Sequence, residues 1–119
     1  MTGRPDTFLP LFVADYLADT SHLTRDQHGA YLLLLMAYWR RGGPLPADDV
    51  RLATTAKASS SEWRRLRPTM LEFFVEQGGM WISKRSDEEI AKATARAEAK
   101  ASAGRRGAEK RWQIGNFSL

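Results

Sequence analysis

Two histidines stand close to two aspartates in the run Asp19-Thr-Ser-His22-Leu-Thr-Arg-Asp-Gln-His28. Imidazole and carboxylate together can hold a divalent metal or move a proton. Their spacing here matches no ligand motif and no further group converges on them, so capping or surface roles are expected of both histidines. The chain has no cysteine, which excludes disulfides, thiolate metal sites and cysteine nucleophiles. Neither Gly42-Gly43 nor the Gly104 to Gly107 stretch is followed by the lysine and hydroxyl residue that a phosphate-cradling loop needs. No catalytic residue, metal site or cofactor is therefore expected, and the chain is not read as an enzyme.

The cations offer a different chemistry. Ser59-Ser-Ser-Glu-Trp-Arg-Arg-Leu-Arg-Pro68 reads as helical. With Trp63 at zero on a helical wheel, Leu66, Met70 and Phe74 fall within about 60° of it. Ser61, Arg64, Arg65 and Pro68 fall on the other side, with Arg67 at the border, where its stem can cover apolar surface. Trp63 thus belongs to the core. The arginine face is either a solvated outer face or a surface for phosphate and base edges. Pro68 removes one backbone bond, toward the Arg64 carbonyl, and is expected to bend or divide the helix, leaving about two readable turns.

The elements that must position this face follow from caps and periodicity. A short helix is expected over 11–18, with Pro10 in its first turn. Thr24 and Gln27 form a capping box that opens a helix over 25–41, stopped by Gly42-Gly43-Pro44. Apolar nearly all round between Ala30 and Trp39, it is expected to be central, with Gly29 admitting a close neighbour. Leu45-Pro-Ala-Asp-Asp49 is expected to open a third helix, running to about Ala56, with Val50, Leu52 and Ala53 available for packing. A polar turn over 57–61, with a serine cap, leads into the arginine helix. Phe74 to Ser83 alternates around Gly78-Gly79 and predicts a hairpin. Ser86 and Glu89 form a second capping box, placing a fifth helix over about 87–103, broken by Gly104 and Gly107. The expected division is one domain over 1–103 and a basic, partly flexible Gly/Arg tail over 104–119.

The charge is uneven along the chain. Among 119 residues the net charge is +4. Arg51 to Arg67 holds five cations against Glu62, and Lys92 to Arg111 holds seven against two acids, while the first fifty residues hold four against six. Such a balance tilts toward polyanionic partners. No leader-like N-terminal segment and no run long enough to span a bilayer is seen, so a cytoplasmic protein without membrane contact is expected.

Helix, helix, short turn, helix, hairpin is the order of a winged helix-turn-helix. The fold class expected is therefore mainly α with a small β-hairpin, a winged helix-turn-helix carrying a long C-terminal helix. On that reading Lys57, Ser61, Arg64 and Arg65 face duplex DNA, and Arg51 meets phosphate. Lys84 and Arg85, after the second hairpin strand, reach the backbone. Lys92, Arg96 and Lys100 make one stripe four residues apart. Arg105 and Arg106 lie in a stretch that either follows phosphates or serves as a soluble linker.

Several ordered pieces carry a resemblance. They are Asp15-Tyr-Leu-Ala-Asp-Thr20, Leu23-Thr24, Gly29-Ala-Tyr31, Trp39, Gly43-Pro-Leu-Pro46, Leu52-Ala53, Glu62-Trp63, Phe73-Phe74, Gly79-Met-Trp81, Lys84-Arg-Ser-Asp87 and Gly-Arg-Arg-Gly-Ala-Glu-Lys-Arg-Trp112. Over about residues 8 to 112 the chain resembles the YdaU-like family, a phage and prophage domain of unknown function. The resemblance implies a bacterial or phage protein, similar to the winged-helix N-terminal domains of phage replisome organisers. It implies no catalytic residues, and many relatives continue beyond the position of Trp112. Two functions are expected: DNA binding in phage replication initiation or transcriptional control, or a protein-interaction module. The second would meet replication or regulatory proteins or form a homo-oligomer, although the alanines of the fifth helix make no heptad seam.

Overall fold

Thr24 opens the longest buried helix as its capping box requires. The Gln27 N–H donates to Thr24 Oγ1 at 3.2 Å, and the Thr24 N–H donates to Gln27 Oε1 at 2.9 Å. The computed structural model describes the backbone of residues 9–117 and the side chains of residues 9–108. Its elements are α1 (Val13–Asp19), α2 (Arg25–Arg41), β1 (Leu45–Pro46), α3 (Asp49–Thr55), α4 (Ser60–Met70), β2 (Val75–Gln77), β3 (Met80–Ile82) and α5 (Lys84–Phe117). The protein is mainly helical, with a small antiparallel sheet and a long C-terminal helix.

The core gathers on one side of α2. Ala30, Leu34, Tyr38 and Trp39 bury against Leu52 and Ala53 of α3, Trp63 and Met70 of α4, and Ile90 of α5. Phe74 and Trp81 close it from the hairpin side, with ring centroids 5.5 Å apart, and Trp63 lies 5.7 Å from Trp81. Aromatic pairs at such tilted geometries add to plain burial. The sheet order is β1-β3-β2, with Leu45 opposite Trp81 and Val75 opposite Ile82. Gly78 (φ 59°) and Gly79 (φ 72°) turn the hairpin, where side chains would be strained.

Several expectations change. Leu45-Pro46 does not open a helix but forms β1, and α3 starts only after Asp48, whose carboxylate accepts from the Val50 and Arg51 N–H groups. Two residues with a proline carry no strand periodicity, so only the pairing with β3 reveals them. Val50 is exposed rather than packed, and no neighbouring element comes within 4 Å of where a Gly29 Cβ would stand. Pro10 precedes α1 instead of entering it, since Phe12 is the cap. Pro68 does not divide α4, which runs on to Met70 with the Leu71 N–H on the Arg67 carbonyl. The carbonyl it leaves unbonded belongs to an exposed turn, where water can satisfy it.

The last is α5. Its cap is Ser83, not Ser86: the Ser86 N–H donates to Ser83 Oγ at 3.2 Å. The Ser83 N–H is itself pinned by Tyr38 Oη at 3.0 Å, and that hydroxyl donates to Asp87 Oδ1 at 2.6 Å. Burial pushes the Tyr38 hydroxyl pKa well up, so it stays a donor. This buried network fixes where α5 leaves α2. The helix then passes through Gly104 and Gly107 without a break and reaches Phe117. Each glycine costs about 1 kcal/mol of propensity, which the alanines and long charged residues around them sustain.

Candidate nucleic-acid interface

Ser59 caps α4 by a second capping box: the Glu62 N–H donates to Ser59 Oγ at 3.2 Å and the Ser59 N–H to Glu62 Oε1 at 2.7 Å. That bond from the Ser59 N–H holds the Glu62 carboxyl below its usual range. Trp63 and Met70 turn α4 onto the core, and the three arginines then separate. Arg67 is enclosed by acids, its Nε 3.0 Å from Asp49 and its Nη2 2.7 Å from Glu76, with the guanidinium 5.8 Å from the Trp81 ring centre. The two tryptophans use the same carboxylates: Trp63 Nε1–H donates to Asp49 and Trp81 Nε1–H to Glu76, both at 3.0 Å. The Trp63 indole and then Arg67 hold the Asp49 carboxyl below the usual carboxylate range. Arg67 is thus a bracket joining α3, α4 and the hairpin. Arg64 and Arg65 are exposed and have no ion pair among the described residues.

These two arginines share the exposed face of α4 but line different grooves beside it. Arg64 lines the groove between α3 and α4 with Thr54, Ala58 and Ser60. Arg65 lines a second cleft, with Lys57 and Arg25. Ser61 lies exposed, its hydroxyl 3.3 Å from that of Ser59. Lys57 closes α3 with a left-handed φ of 56°. Its N–H donates to the Thr54 carbonyl at 3.1 Å and the Ala58 N–H to the Ala53 carbonyl at 2.9 Å. That pair of bonds is the Schellman motif.

The remaining candidates lie elsewhere. Arg51 sits on the far side of α3, in a depression with Arg41, Pro46 and Val50. Arg85 is held by Asp19 at 2.8 Å and Asp15 at 3.4 Å, tying α1 to the start of α5. Lys92 lies 3.6 Å from Glu89, and Arg106 donates to Ser102 at 3.1 Å. Lys84, Arg96, Lys100 and Arg105 are exposed along α5. The hairpin, by contrast, has Glu76 as its one charge between Val75 and Ile82.

The two histidines do not meet in a common site. His22 Nε2 is 2.8 Å from Glu72 Oε1 and its ring stacks near Phe73, while His28 Nδ1 is 2.8 Å from Tyr16 Oη. Among the described residues no group of three or more His, Asp or Glu side chains is placed to hold a metal. None of their helices is long and apolar enough to cross a membrane. Sequence reasoning missed two members of this surface. Arg25 was visible only as the residue after the Thr24 cap, and Asp49 only as a helix-start acid; their neighbours come from other elements.

A family described as "Protein of unknown function (DUF1376)" matches residues 7–91. The chain belongs to this family. The match takes in α1 through the first turns of α5, and so all of α4 and both grooves beside it. The E. coli (strain K12) protein called "Uncharacterized protein YdaU" is 40% identical over 98 residues, covering 82% of this chain and 34% of the relative. The chain therefore spans about a third of the length of that family relative. No solved structure matches.

Proposed function

We propose that this is a prophage-derived DNA-binding protein of the winged helix-turn-helix kind, acting in the cytoplasm in phage replication initiation or transcriptional control. The observation that carries the reading is the sorting of the α4 arginines. Arg67 is neutralised by two carboxylates, while Arg64 and Arg65 keep free charge on the exposed face. A helix that needed charge only for solubility has no reason to separate them so. The element order supports the same reading: a helix, a short strand, two helices joined by a short turn, then a hairpin whose second strand pairs with the first strand. The hairpin lacks a cation, so the duplex is met mainly by α4. The prophage setting rests on the family resemblance, and the lack of cysteine fits a reducing compartment.

The test is fluorescence anisotropy of a labelled mixed-sequence duplex at 50 and 200 mM salt. Binding is expected at low salt and should weaken steeply as salt rises. Arg64→Ala/Arg65→Ala should lower affinity and flatten the slope of log K against log[salt] by about two phosphate contacts' worth, roughly 1.8. No binding by the wild type at low salt removes the proposal.

A second reading has its own observation. Leu11 and Phe12, just before α1, and Val13 and Leu17 within it leave large apolar side chains in solvent. Such exposure suits a protein-interaction module. A light-scattering mass above that of a 13.4 kDa monomer, with no duplex binding, would favour it.

A further inference from the structure

We infer that the cleft between the start of α2 and the α3–α4 turn seats a phosphate of the DNA backbone, held by Arg25, Lys57 and Arg65; this rests on the DNA-binding reading above. Three elements each place one cation on this cleft, which encloses about 430 Å³. None of the three has an ion pair among the described residues. The acids facing them are Asp26 and Glu62. Three cations against these two carboxylates leave the cleft net positive, and Glu62 is oriented toward the Ser59 N–H. Gly29 leaves the α2 wall open, with nothing within 4 Å of where a Cβ would stand.

Lys57 supplies an independent observation. The chain closes α2 by the same pair of bonds, with Gly42 at φ 83° in the left-handed position. At the end of α3 a lysine occupies that position, where glycine is the comfortable residue. A strained non-glycine residue at an exposed tip points to a side chain kept for function. Arg65 joins the two surfaces, since it lies both on the exposed α4 face and in the cleft. A phosphate in the cleft would therefore meet Arg65 together with Lys57 and Arg25.

The experiment uses the full chain and two unrelated labelled duplexes, titrated across a salt series. Arg25→Ala is compared with Arg40→Ala, which removes an exposed cation from the far end of the same helix. Losing a phosphate contact should cut affinity several-fold on both duplexes equally and lower the salt slope by about 0.9 for Arg25→Ala alone. A wild-type slope for Arg25→Ala, or an equal fall for Arg40→Ala, overturns the seat while leaving DNA binding through α4 intact. Absence of binding by the wild type overturns both.

Discussion

Arg65 and Arg67 lie two residues apart and do opposite work, and the difference comes from partners distant in the sequence. A wheel separates the faces of α4 but cannot foresee that Asp49 and Glu76 converge on Arg67. The same convergence makes Asp49 a stability residue. It is the acceptor for the indole N–H of Trp63, a side chain only 3% exposed. Asp49→Ala should therefore cost about 1–2 kcal/mol in urea denaturation, mainly for the orphaned indole N–H. The ion pair with Arg67 adds little, because the Asp49 side chain is 64% exposed. The carboxyl's folded pKa lies below its unfolded value of about 3.9, so the unfolded chain binds more protons in acid. Its contribution is full above that value and is lost as pH falls through the lower folded one. Stability should accordingly decline below about pH 4, and Asp49→Asn should shallow that decline. An unchanged acid limb in the Asn variant would show that other carboxylates govern it.

At the scale of elements, the ends of helices carry the most information. Lys57 holds the left-handed position that terminates α3. An L-residue there is disfavoured by about 1–2 kcal/mol, partly offset by glycine's greater freedom in the unfolded chain. Lys57→Gly should raise stability by about 0.5–1 kcal/mol and still weaken duplex binding. A protein both more stable and equally tight on DNA would leave the lysine without a role. The helix start at Thr24 was legible because a capping box is written within four residues, whereas at α4 only a serine cap within 57–61 was legible, and the Ser59–Glu62 box that fixes it was not. β1 was not, because a two-residue strand exists only through its partner β3, more than thirty residues away. The start of α5 was misread for a related reason. Ser83 and Ser86 are both plausible caps locally, and the choice is made by Tyr38 from α2, which pins the Ser83 N–H. Gly104 and Gly107 were read as breaks because a propensity penalty looks like a stop when the flanking residues are ignored. Of the candidate interface, the arginine face of α4 was legible, whereas the cleft was not, since its three cations belong to three separate elements.

The whole molecule is elongated, 73 × 30 × 22 Å, because α5 continues past the body. A helix of 34 residues spans about 51 Å. Among the described side chains, Ile90 is its last buried one and Ala93 the last that packs against the core. Its first turns share a crevice with Leu35 and Trp39 of α2. The cationic cleft uses Gly29 and Leu33, on the opposite side of that helix. The α5 cations and the α4 surface therefore stand across α2 from one another. A chain shortened after Ala97 should keep its thermal midpoint within about 2–4 °C, since among the described residues no core contact is removed. It loses five cations, Lys100, Arg105, Arg106, Lys110 and Arg111, yet should bind a short duplex with the wild-type salt slope. A slope shallower by two or more would mean that cations of this segment reach phosphate. The duplex would then lie along α5 as well as across α4, and a site long enough to span both would bind more tightly than a short one.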